Sequence, residues 1–125
     1  MRKYVFRRYM PEYVAFFSFE KKRLQKALGL SAKIEHVGST AVKNLGGKGI
    51  LDVLIGVPKI KEAKIKLENA GYEFREIAST AQRLFFRRDV QYNGGNRRVH
   101  IHLTAHNGKD WREILGFRDY LLGCP

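Results

Sequence analysis

The sequence predicts an α+β (or α/β) fold, one mixed β-sheet with helices packed against it. Three observations predict it. Amphipathic stretches with helical spacing open the chain, recur in its middle and close it. The run Gly49 to Val57 is nearly continuous in apolar, β-favouring residues, as a central strand covered on both faces requires. Val99, Ile101, Leu103 and Ala105 alternate with His100, His102, Thr104 and His106, which puts one apolar and one polar face on a strand.

Taken in order, Pro11 suits a first helical turn, and Val14, Phe17, Leu24, Ala27 and Leu28 follow at spacings that make one apolar stripe, stopped by Gly29. Ile34 to Gly38 reads as a short strand. Ser39 or Thr40 then caps a brief helix or turn toward Leu45, broken by Gly46 and Gly47. After the Gly49 to Val57 strand and Pro58, residues Ile60, Ala63, Leu67 and Ala70 keep helical spacing among lysines and glutamates. Asn69-Ala70-Gly71 supplies the stop. Tyr72 to Glu76 and Arg83 to Val90 read as strands, the second leading into a hairpin loop over Tyr92 to Asn96. Gly108 opens a last helix carrying Trp111, Ile114, Leu115 and Leu122. No linker or repeat divides the 125 residues, so they read as a single domain.

The chain is 44% hydrophobic and 29% charged, an ordinary globular composition. Its 24 Lys and Arg against 12 Asp and Glu leave +12 and point to anionic partners. The charge is concentrated: residues 1–33 hold nine basic and two acidic side chains, and residues 83–106 hold five and one. If Arg87, Arg88, Arg97 and Arg98 share a sheet edge or hairpin, they offer a surface to RNA or a triphosphate; otherwise they are a solvated basic face. Phe85, Phe86 and Tyr92 fall in a strand pattern that suits a core better than a stacking platform. No apolar run is long enough to span a membrane, and the basic start lacks a signal-peptide core. A single cysteine, Cys124, allows no internal disulfide, so the chain reads as cytoplasmic.

Chemistry concentrates between Ile34 and Val57. Asp52 lies within an apolar strand, where a carboxylate needs a partner. Gly38-Ser39-Thr40 precedes it: a glycine lets the backbone approach a phosphate, a hydroxyl adds a donor, and a following helix N-terminus offers free amides. Such a turn beside a carboxylate can hold a nucleotide and its Mg²⁺. His100 and His102 share one face of their strand, and His36, two residues before Gly38, is expected to line the same site. Two arrangements satisfy these histidines: they ligate a metal, or they bond to Asp52, Glu35 or a carbonyl and tie strands together. Lys48 reads either as a phosphate contact or as a solvated lysine in a Gly-rich loop.

The string His36-Val37-Gly38-Ser39-Thr40, followed by Lys48 and Ile50-Leu51-Asp52-Val53-Leu54, resembles the signature of the GrpB-like (UPF0157) proteins of the nucleotidyltransferase superfamily. Tyr9-Met10-Pro11, Arg83-Leu84-Phe85-Phe86, His100-Ile101-His102-Leu103 and Phe117-Arg118-Asp119-Tyr120-Leu121 resemble further landmarks in the family's order, so the likeness covers nearly the whole chain. It implies a nucleotidyltransferase-like fold with a cleft for a nucleotide or another phosphorylated ligand. Within that cleft the resemblance assigns Asp52 and His102 to catalysis and Gly38, Ser39, Thr40, Lys48 and Arg83 to the phosphates. A divalent ion, Mg²⁺ or a transition metal, would be held by Asp52, His100 and His102 and would assist nucleotidyl transfer.

Two departures stand out. Lys43 replaces the proline usual in the family, and Leu54 fills the position where the superfamily places its second carboxylate. A leucine cannot bind metal, so the two-metal geometry is incomplete. That departure favours a catalytically inactive binding module of the same fold, and the charge favours a basic RNA-binding accessory protein as a further alternative.

Overall fold

The computed structural model describes residues 2–38, 41 and 50–123, with the side chains of the first helix described from Glu12 onward. Its elements are α1 (Arg2–Leu28), β1 (Lys33–Val37), β2 (Ile50–Val57), α2 (Ile60–Asn69), β3 (Glu73–Phe74), a 3₁₀ turn (Glu76–Ala78), β4 (Arg83–Tyr92), β5 (Gly95–Ala105) and α3 (Lys109–Leu122). The expected α+β architecture is present, as one five-stranded sheet in the order β1-β2-β5-β4-β3. Its β2–β5 pair is parallel and its other pairs are antiparallel. The brief helix expected after Ser39 lies outside the described residues.

Three boundaries differ from the sequence expectation. Helix α1 begins well before Pro11; a proline removes one backbone donor from a helix, and the turns on either side hold it together here. The strand expected over Tyr72 to Glu76 shortens to Glu73–Phe74, because the backbone turns at Glu76–Ala78. The hairpin loop shrinks to Asn93-Gly94, with Tyr92 paired to Gly95. Both loop residues have positive φ, 51° and 78°, which asparagine and glycine tolerate and which matches the twist of the two strands.

The sheet separates two unequal apolar layers. On one face Leu51, Val53 and Ile55 of β2, Val99, Ile101 and Leu103 of β5 and Phe86 of β4 meet Phe16 and Leu24 of α1 and Leu67 of α2, all fully buried. On the other face α3 covers only part of the sheet, through Trp111 against Leu54 and Val37. Gly56 permits that contact, since a Cβ there would lie 2.7 Å from the Trp111 ring. Strand β2 is therefore covered on both sides, and its apolar run follows from that.

A carboxylate stands inside the main core. Glu20 has no solvent exposure and occupies the stripe between Phe16 and Leu24, at four-residue spacing from each. The Tyr72 hydroxyl donates to its Oε2, and the Arg23 guanidinium lies 3.7 Å from its Oε1, which accepts no hydrogen bond from the described residues. Burial, and then the Glu20 charge, push the Tyr72 phenol well above its ordinary range, so it remains a donor. Arg88 lies over the Tyr72 ring at 5.2 Å and donates to the Ala70 carbonyl at 2.5 Å. This network ties α1 to the end of α2.

Replacing Tyr72 by Phe deprives the buried carboxylate of its hydroxyl donor at little change in volume. The expected loss is about 1–3 kcal/mol of unfolding free energy, read from urea denaturation; an unchanged midpoint would show that the bond contributes nothing.

Candidate functional site

The parallel register of β2 and β5 places Asp52 beside His100 and Leu54 beside His102, and the alternation of each strand turns all four side chains to the α3 face. The Asp52 Oδ1 atom lies 3.4 Å from His102 Nε2 and 3.7 Å from His100 Nδ1. Phe85, paired with His102 on β4, packs near both imidazoles, with ring centroids 5.3 and 4.9 Å away. On the other side β1 is followed by Gly38, whose φ is +77° and where a Cβ would lie 2.5 Å from Asp52 Oδ2. Only glycine combines that conformation with that approach. The Asp52 carboxylate is thus fixed between a glycine turn and two histidines.

His102 Nδ1 is buried without a hydrogen-bond partner among the described residues. An unpaired N–H there would cost more than an unpaired lone pair, so the proton belongs on Nε2, directed at Asp52. Burial holds the His100 imidazole below its ordinary pKa, although the Asp52 charge opposes that shift.

Around this group, Val37, Gly38, Asp52, Arg83, His102 and the α3 residues Glu113, Ile114, Phe117, Arg118 and Leu121 line a cleft of about 370 Å³. Arg118 is fully engaged. It donates to Glu35 Oε1 at 2.8 Å, to the His36 carbonyl at 3.2 Å and to Asp119 Oδ1 at 2.9 and 3.0 Å, which pins α3 to the edge strand β1. The Arg83 guanidinium, by contrast, has no carboxylate partner among the described residues. Among the described residues of the cleft it is thus a cation without a carboxylate beside it.

The structure therefore brings together Gly38, Asp52, Arg83, His100 and His102. Ser39, Thr40, Lys43 and Lys48 lie outside the described residues. His36 does not join the site: it pairs with Val53, whose side chain points to the main core, and its ring stacks on Phe17 of α1 at 4.9 Å. The expectation counted residues back from Gly38 without the pleat, which sends His36 to the opposite face from Asp52. Sequence reasoning gave no site role to Arg118, a family landmark whose partners come from a strand far away in the chain, or to Phe85, whose strand pattern suited the core.

The arginines of the hairpin do not form a single patch. Arg87 pairs with Glu73, Arg98 with Asp89 and Arg97 with Glu12, while Arg88 reaches the Ala70 carbonyl. Hydrogen bonds from Arg87 and Arg75 hold Glu73 below the usual carboxylate range, and one from Arg98 does so for Asp89.

Among the described residues no group of three His, Cys, Asp or Glu side chains is arranged to hold an ion. A metal-bound imidazole normally donates its second N–H to an acceptor, and His102 Nδ1 faces none among the described residues. Leu54 is fully buried against Val37 and Trp111, so the second carboxylate position is part of the packing. The described residues do not fit a two-ion Mg²⁺ centre.

Sheet order, helix placement and the carboxylate on β2 define a protein of nucleotidyltransferase-like fold. The Cid1 poly(U) polymerase shares that fold at a TM-score of 0.62 and 13% identity, over 90% of this chain and 34% of that one. The chain belongs to the GrpB family, described as GrpB protein, whose match runs over residues 4–125. The crystal structure of conserved protein GrpB from Enterococcus faecalis superposes at a TM-score of 0.74, with 29% identity, over 91% of this chain and 70% of that one. The glutamate-rich protein GrpB of Alkalihalophilus pseudofirmus is 30% identical over 114 residues, 87% of this chain and 66% of that protein. A UPF0157 protein of Pseudomonas aeruginosa is 34% identical over 119 residues, 92% of this chain and 48% of that protein. The chain thus spans 66% of the first relative's length and 48% of the second's. Among the described residues no helix is long and apolar enough to cross a membrane.

Two outcomes are expected from this geometry. Leu54→Asp buries a charge under Trp111 and should cost about 3 kcal/mol or more in denaturant unfolding, without creating Mg²⁺ binding in a calorimetric titration. For His36, burial lowers the pKa to about 4 from 6.5, with Asp52 opposing and Arg118 reinforcing the shift. The unfolded chain then binds the extra proton first. Stability should be intact above about pH 6.5, fall toward pH 4 and level off below. His36→Phe keeps a ring on Phe17 and should flatten the melting temperature across that window; an unchanged pH profile would assign the loss elsewhere.

Proposed function

We propose that the cleft between the sheet and α3 binds a nucleotide or another phosphorylated small molecule, and that this chain serves as a ligand-binding member of the nucleotidyltransferase-like fold. The observation that carries the reading is the glycine turn closed onto Asp52 with the uncommitted Arg83 lining the same cleft. Arg83 supplies a planar, permanently charged fork for phosphate oxygens. Asp52, with His102 against it, accepts hydrogen bonds from hydroxyl groups of the ligand. Ser39, Thr40 and Lys48 are assigned to the phosphates on sequence grounds alone.

The reading does not extend to polymerase-type transfer. That reaction relies on carboxylates holding two ions against the attacking and leaving oxygens, and Leu54 in the packing beneath Trp111 removes one of those carboxylates. The kinship with nucleotide-using enzymes supports the ligand class and carries no reaction with it.

The test is calorimetry with ATP and UTP, with and without Mg²⁺, at physiological salt. Arg83→Gln removes the ligand's charge-assisted contacts and should weaken binding by about ten-fold or more, while Asp52→Asn should weaken it with the fold retained by circular dichroism. Wild-type protein that binds neither nucleotide, or binding indifferent to both substitutions, would overturn the proposal.

A further inference from the structure

The cleft has two unlike walls. Its floor is polar, with Asp52, His102 and Arg83, whereas the α3 wall is apolar through Ile114, Phe117 and Leu121. Phe117 is 66% exposed although it lines a cavity, so its ring meets solvent where a ligand would sit. Large aromatic surface left in water is unfavourable, and a flat ring laid on it removes that cost. At about 370 Å³ the cleft falls at the small end of the range for small-molecule sites, too small for a folded macromolecular epitope and large enough for a single ring-bearing phosphate ester. The two described arginines of the site are also unequal: Arg118 is spent on Glu35, Asp119 and a carbonyl, which leaves Arg83 as the described anion contact.

We infer that the ligand is amphipathic, a phosphate ester carrying a planar ring of the nucleobase type, and that Phe117 is the specificity-determining residue that stacks on this ring while Arg83 holds the phosphate. This rests on the phosphorylated-ligand reading above and deepens it. Arg83 meets the phosphate from the polar side, and the apolar side of the cleft is left for the apolar half of the ligand. Ile114 and Leu121 flank Phe117 along α3 and complete a surface for the ring's face, and Glu113 at the rim disfavours an anion placed on that side.

The experiment compares ATP, UTP and inorganic tripolyphosphate by calorimetry at physiological salt, counting only binding that Arg83→Gln removes. At least one nucleotide should bind about ten-fold or more tighter than tripolyphosphate, and Phe117→Ala should weaken that nucleotide about ten-fold while changing tripolyphosphate by less than about two-fold. Phe117 is largely exposed, so its truncation spares the fold, and Tyr120→Ala, exposed on the same helix outside the cleft, should leave all affinities unchanged. Tripolyphosphate binding as tightly as both nucleotides, or nucleotide affinity unmoved by Phe117→Ala, overturns the ring inference and leaves the phosphorylated-ligand reading standing. Arg83-dependent binding of none of the three probes overturns both.

Discussion

Strand β2 has to be buried on both faces, and most of the molecule follows from how that is done. Leu51, Val53 and Ile55 go to the α1 and α2 side, Leu54 goes beneath Trp111, and β5 runs parallel beside them. A parallel pair needs a connection that crosses the sheet's end, and α2, β3 and β4 together provide it between β2 and β5. Parallel pairing also fixes which residues stand side by side. It sets Asp52 next to His100 and within 3.4 Å of His102, from positions far apart in the chain. The site is thus a product of register more than of any local motif.

The second face is covered only in part, and that incompleteness makes the cleft. Trp111 anchors the start of α3 over Gly56 and Leu54, and Arg118 fastens its far end to β1 through Glu35 and the His36 carbonyl. Fastened at both ends, the helix stands beside Asp52 without filling the space above it. Burying Arg118 works against its charge, and the Glu35 and Asp119 carboxylates more than offset that. Its role is architectural, which separates it from Arg83 although both line the same cavity.

Charge behaves differently here from what a count of residues suggests. A formal +12 invites a polyanion, yet the hairpin arginines are distributed over both sheet faces, and Arg97, Arg87 and Arg98 are matched to Glu12, Glu73 and Asp89. Exposed pairs of this sort contribute little to stability, about 0–1 kcal/mol each, but they occupy donors that phosphate would otherwise use. The buried Glu20 shows the opposite economy of structure. It lies in the middle of an apolar stripe and is tolerated because Tyr72 and Arg23 reach it.

The sequence by itself determined the α+β class, the order of the main elements, the kinship with GrpB proteins and the place of Asp52 within an apolar strand, because each of these is written in local periodicity or in a short contiguous string. Leu54 as a departure from the two-carboxylate pattern was equally legible, since it needs only the spacing from Asp52. The buried place of Glu20 was available in principle from its four-residue spacing to Phe16 and Leu24, but spacing does not reveal the tyrosine that makes burial tolerable. Only the tertiary structure decided that His36 faces away from Asp52, that Arg118 is consumed in holding α3, that Arg83 is left unpaired by any described carboxylate, and that Phe117 stays exposed in the cleft wall. The physical reason is common to all four: each depends on which face of a pleated strand or helix meets a partner brought in from elsewhere in the chain, and a one-residue change of register reverses that outcome while leaving composition and local pattern untouched.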